Sequence, residues 1–139
     1  MIRRKSSPEP SSFAIAFGHS RPLRNVAVHL EFLRSGLRAR EYVVTVRGFD
    51  GTEEQALPTG GWNRSSKFGA KFCYVPETSA PGLVNLPPVA IDRTVTDLRI
   101  DVHGWVGTRV PATQAVASVW VVVPDPTGGT AIYRAVKKK

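Results

Sequence analysis

The sequence predicts an all-β, single-domain antiparallel β-sandwich of seven or eight strands, and three observations predict it. Apolar residues recur with a period of two along most of the chain. Glycines and prolines, 12 and 11 of 139 residues, punctuate those segments as turn and connection signals. Only Phe32 to Glu41 has a helical character, and Gly36 interrupts it. A jelly roll is preferred over an immunoglobulin-like arrangement, because no cysteine pair flanks a tryptophan.

The elements follow in order. Residues 1–12, MIRRKSSPEPSS, are polar and proline-containing and read as a flexible arm before a domain spanning 13–136. Phe13, Ile15 and Phe17 alternate with Ala14, Ala16 and Gly18, which predicts a first strand. Val26, Val28, Leu30 and Phe32 alternate with Asn25, Ala27, His29 and Glu31, the cleanest two-residue repeat in the chain. Tyr42, Val44 and Val46 predict a third strand, with Asp50-Gly51 as its turn. In Lys67–Val75 alternation puts Phe68, Ala70, Phe72 and Tyr74 on one face and Lys67, Lys71 and Cys73 on the other. Phe68, Phe72 and Tyr74 are therefore expected in the core.

Four prolines between Pro76 and Pro88 predict an irregular connection. Leu98, Ile100 and Val102 then alternate with Asp97, Arg99, Asp101 and His103. Ala115 to Val123 is almost wholly apolar, which predicts a strand covered on both faces with Trp120 in the core. Asp125-Pro126-Thr127-Gly128-Gly129 predicts a turn into a last strand from Thr130 to about Val136, and Lys137–Lys139 form a basic tail.

The net charge of +8 is unevenly laid out. Residues 1–47 hold nine Lys/Arg against three Asp/Glu, whereas residues 48–136 hold seven against eight. A nucleic-acid-binding domain usually spreads its cations over a folded face, so excess charge at the ends weakens that reading. Candidate anion contacts are Arg34, Arg38 and Arg40, joined by Arg21 and Arg24, together with Lys137, Lys138 and Lys139. Their alternative reading is a solvated loop and a solubilising tail.

One cysteine, Cys73, excludes an internal disulfide and a cysteine-based zinc cluster. No apolar run approaches the roughly 18 residues of a membrane span. The apolar stretch Phe13–Phe17 is too short for a secretory leader, so the chain is expected in the cytoplasm or in a particle assembled there. No nucleophile elbow, P-loop, dinucleotide fingerprint or paired-histidine metal motif is present, and no cofactor is implied. Asp92, Asp97 and Asp101 lack the spacing of a calcium loop. The expectation is a non-enzymatic protein.

Two tryptophans carry the functional expectation. Trp62 follows Gly60-Gly61 and precedes Asn63-Arg64, which places it in a loop. Trp105 ends a strand on the side of Asp101 and His103. An indole face suits the C–H face of a sugar ring while neighbouring polar groups satisfy its hydroxyls. The ligand site expected on that ground is Trp62, Asn63, Arg64, Asp101, His103 and Trp105. The competing reading makes each tryptophan a cap on the end of the core.

A strand ending RGFDG, a Gly-Gly-Trp loop, KFGAKFCYVP, a proline-rich connection and LRIDVHGW span residues 42–106. Together they resemble accessory β-sandwich domains that accompany bacterial surface-polysaccharide enzymes, glycosyltransferases in particular. The resemblance implies a non-catalytic module that binds a glycan or a partner enzyme, and these 139 residues hold no enzyme motif. The alternative is a structural protein, a capsid or virion component of jelly-roll type. Its basic ends would then contact subunits, an acidic surface or nucleic acid.

Overall fold

A computed structural model describes residues 11–32, 41–58, 62, 68–74, 83–106, 110–111 and 116–138. Among these residues there is no helix and there are ten strands. They are β1 (Ser11–Phe32), β2 (Glu41–Asp50), β3 (Glu53–Gln55), β4 (Ala70–Tyr74), β5 (Leu83–Asn85), β6 (Val89–Val106), β7 (Val110–Pro111), β8 (Val116–Pro124), β9 (Thr130–Arg134) and β10 (Val136–Lys137). All pairings are antiparallel. The main order is β3-β2-β6-β1-β8-β9, with β4 on β2, β5 and β10 on β1, and β7 on β6. No helix among the described residues is long and apolar enough to cross a membrane.

Two strands expected from the sequence, Phe13–Phe17 and Val26–Phe32, are halves of the 22-residue β1. The polar stretch between them hid the continuity, because a bulge carries the strand through it. Ala16 pairs with Asp97 and Arg21 with Val95, so five steps along β1 match two along β6. Gly18 makes the bend at φ +87°, a left-handed conformation that a residue without Cβ adopts at little cost. On its other edge β1 first pairs with β10 at Phe13 and Ala14, then with β8 from Ala27 to Phe32.

Arg21 sits where β1 changes partner and is 6% exposed. Its Nη2 donates to the Pro124 carbonyl at 2.9 Å and its Nη1 to the Tyr133 hydroxyl at 3.2 Å. The guanidinium lies 5.1 Å from the Phe17 ring centroid, and Phe17 meets Tyr133 edge-on at 5.1 Å. The expectation of a solvated anion-binding arginine is corrected here. A guanidinium with several donors fills a wedge that an aliphatic side chain would leave polar groups unpaired in.

The core is one cluster drawn from both halves of the sheet. Val26, Val28, Leu30, Val119, Val121 and Val123 come from β1 and β8, and Val44, Val46, Ile100 and Val102 from β2 and β6. Each such side chain contributes about 1.5–3 kcal/mol on full burial. In β6 the inward set changes phase, from Val89, Ile91 and Val95 to Leu98, Ile100 and Val102. Thr96 lies at the phase change, with its hydroxyl donating to Asp97 Oδ1 at 2.5 Å and accepting from the Gly51 N–H at 2.9 Å.

Further expectations change. Leu83–Asn85, inside the segment expected to be irregular, pairs with β1 as β5. Ser11 and Ser12 belong to β1 rather than to an arm, and residues 1–10 lie outside the described residues. Lys137 pairs with Phe13, and the Lys138 N–H donates to the Ser12 carbonyl at 2.7 Å, so these two lysines extend the sheet instead of forming a tail. Phe68 is 37% exposed, because it lies before β4 in an isolated bridge to Ala56 and Gly69, at φ +88°, breaks the alternation between it and the strand. The helical turns expected within Phe32–Glu41 fall mostly on residues 33–40, outside the described residues.

Candidate functional site

Asp101 and His103 stand on the side of β6 opposite its buried valines and isoleucine. Asp101 pairs in register with Thr45 and His103 with Val43. The Asp101 carboxylate accepts a 2.7 Å hydrogen bond from the Ser12 hydroxyl and lies 3.7 Å from Arg47 Nη2. Trp105 follows two residues later in β6 and pairs with Glu41 along the backbone; its side chain lies outside the described residues.

Trp62 is not part of that group. It is 3% exposed, its indole N–H donates to the Pro87 carbonyl at 2.7 Å, and its ring centroid lies 5.5 Å from that of Phe72. Phe72 pairs with Val44, a buried position, so the indole lies on the inward side of the sheet while Asp101 and His103 face outward. Of the two readings of Trp62, its burial agrees with the core cap and corrects its place in the ligand site. Burying so large an apolar surface outweighs leaving it in water once the one polar atom has an acceptor. Asn63, Arg64, Arg34, Arg38, Arg40 and Lys139 lie outside the described residues.

Trp120 takes the role opposite to its expected one. Val119, Val121 and Val123 are fully buried, and Trp120 and Val122 alternate with them on the other face of β8, half-buried. In a single cross-strand row Asn85 pairs with His29, His29 with Trp120, and Trp120 with Arg134. The His29 and Trp120 rings stack, with centroids 6.0 Å apart and 17° between their planes. His29 Nδ1 donates to Asn85 Oδ1 at 2.5 Å. Beside this row, Ile132 is 70% exposed and Glu31 accepts a 2.9 Å hydrogen bond from the Ser118 hydroxyl.

Sequence reasoning missed this row because a single polar residue, Ser118, marks the outer face of an otherwise apolar run. The signal was nonetheless present. His29 and Glu31 mark the outer face of β1, and any strand beside it must alternate in the same phase.

The surface also carries two depressions. One, of about 370 Å³, lies where Leu23 pairs with Arg93 and Asn25 with Ala90, an extra residue in β6, and is lined by Arg24, Arg93 and Asp92, the last at φ +44°. The other, of about 300 Å³, lies on the outer side of β2, β6 and β1 and holds Phe49, Thr52, Asp97, Arg99 and Lys138. No protein-family model, curated protein or solved structure matches the chain.

Proposed function

We propose that this protein is a non-catalytic β-sandwich module of jelly-roll type that binds carbohydrate, alone or as an accessory domain to a polysaccharide enzyme. The observation carrying this reading is the row Asn85–His29–Trp120–Arg134 on the outer face of β5, β1, β8 and β9. It replaces Trp62 as the aromatic element. An aromatic ring flanked by an amide, an imidazole and a guanidinium can meet a sugar's C–H face while donating to its hydroxyls. The Trp120 and His29 rings already stack and His29 is bonded to Asn85, so part of the ordering that binding requires is met in advance.

Titration with a panel of oligosaccharides, followed by tryptophan fluorescence and calorimetry, tests the reading. Trp120→Ala is expected to abolish binding and Trp62→Phe to leave it intact. A panel without a single binder, or binders indifferent to Trp120→Ala, would sink it.

A second reading, assembly into a particle, draws on Ile132 and Val136, each 70% exposed on the last two strands. Exposed apolar residues along a sheet edge favour pairing with another copy. Light scattering after size-exclusion chromatography decides it. A large closed oligomer supports assembly, and a monomer at micromolar concentration removes it.

A further inference from the structure

We infer that the depression around Arg99 is a subsite for the carboxylate of an acidic sugar residue, which deepens the carbohydrate-binding reading and rests on it. Arg99 and Arg47 are directly paired across β6 and β2. Like charges placed so in an antiparallel ladder destabilise it unless other groups compensate them. Arg47 is compensated, with Glu54 at 3.5 Å and Asp101 at 3.7 Å. Among the described residues Arg99 has no carboxylate within ion-pair distance, and its guanidinium lies 5.2 Å from the Phe49 ring centroid. Lys138 lines the same depression, held there by its backbone hydrogen bond to Ser12, and it too has no carboxylate at ion-pair distance among the described residues.

The remaining lining selects among anions. Asp97 and Thr52 share the depression with the two cations. The Asp97 carboxylate accepts hydrogen bonds from sugar hydroxyls, which a fully ionised phosphate does not offer, and the Thr52 hydroxyl both donates and accepts. Phe49 supplies an apolar wall, and the Arg47 guanidinium, 5.5 Å from its ring centroid, adds to the positive potential. Two cations for one carboxylate, acceptors for hydroxyls and one apolar wall match a uronic acid ring. The volume of about 300 Å³ is at the lower end of small-ligand sites, which suits a single sugar residue of a chain.

The test is a titration of the whole protein with oligogalacturonate, read by amide chemical shifts, beside a neutral oligosaccharide of equal length and inorganic phosphate. Oligogalacturonate is expected to move the amides of Gly51, Thr52, Arg99 and Lys138, and neither control to do so. Arg99→Glu is expected to weaken that binding about tenfold or more, as loss of a charge-assisted hydrogen bond does. This variant should fold well, since Glu opposite Arg47 replaces a repulsive pair by an attractive one. Shifts confined to the Trp120 row overturn the inference while leaving the carbohydrate reading standing. Phosphate moving the same amides equally overturns the assignment to a sugar acid. Absence of any saccharide binding overturns both.

Discussion

The imidazole of His29 stacks on the indole of Trp120 across the β1–β8 ladder, 6.0 Å between centroids and 17° between planes. This contact joins the strand with the clearest alternation to the strand with the least. It sets the indole on the open face of the sheet, where removing it opens no cavity of the kind a core deletion leaves. Trp120→Ala should therefore cost about 0.5–1 kcal/mol of cross-strand pairing plus part of its half-buried area, well below a core truncation. Urea unfolding measures the cost, and the oligosaccharide titration measures the loss of binding.

Trp62 should behave in the opposite way. Trp62→Ala removes a buried indole, leaves a cavity beside Phe72 and strips the Pro87 carbonyl of its donor. The expected destabilisation is about 3–5 kcal/mol, against about 1 kcal/mol from the hydrogen bond plus a smaller cavity term for Trp62→Phe. Acrylamide should quench Trp120 before it reaches Trp62. Equal quenching of the two would contradict the burial described.

Arg21 tests whether a buried cation can be a structural element. Arg21→Ala leaves the Tyr133 hydroxyl and Pro124 carbonyl without its donors and empties the space beside Phe17, at an expected cost of about 2–4 kcal/mol. Its Nε has no hydrogen-bond partner among the described groups, so Arg21→Met, which keeps bulk and buries no charge, should cost less than Arg21→Ala. Tyr133→Phe should cost about 0.5–1.5 kcal/mol. Thermal unfolding of the three variants gives the order.

Gly69 has φ +88°, and a Cβ there would stand 3.0 Å from Arg47 Cγ. Gly69→Ala should destabilise by about 1–2 kcal/mol from backbone strain. It should also displace Arg47 from Glu54 and Asp101. Loss of nuclear Overhauser contacts between Arg47 and its carboxylate partners would register that displacement.

The β8–β9 turn carries a pH dependence of known sign. Asp125 Oδ1 accepts from the Thr127 N–H and hydroxyl, each at 3.0 Å, and these bonds hold its pKa below the ordinary aspartate value. A depressed folded pKa means stabilisation that is complete above the unfolded value and lost as pH falls through the folded one. Amide exchange at Thr127, corrected for intrinsic rate, should therefore accelerate on acidification below the ordinary aspartate range. Asp125→Ala should abolish that acid-dependent change, and a variant that retained it would place the titrating group elsewhere.

The turns at Asp50-Gly51 and Asp125–Gly129, the inward faces of Val26–Leu30, Tyr42–Val46 and Leu98–Val102, and the all-β class were all legible in the chain. Alternation and turn residues report what a backbone does over five to ten residues, and each of these features is that local. The candidate site was not legible in this way. Trp62 was left between a ligand contact and a core cap because loop residues have no period to read, and Trp120 was placed in the core because one serine, Ser118, is a faint mark of which face of its run is open. Arg21 was misplaced because a charged residue reads as solvated until a wedge between strands offers it acceptors.

By itself, then, the sequence determined strand character, turns and the phase of each alternating segment, since those follow from local sterics and two-residue geometry. Only the tertiary structure decided that β1 runs unbroken through its bulge and that Lys137 pairs with Phe13. Only the fold could bring Asn85, His29, Trp120 and Arg134 into one row. Which of two tryptophans faces water depends on what packs against each, and that is a property of register between strands far apart in the chain.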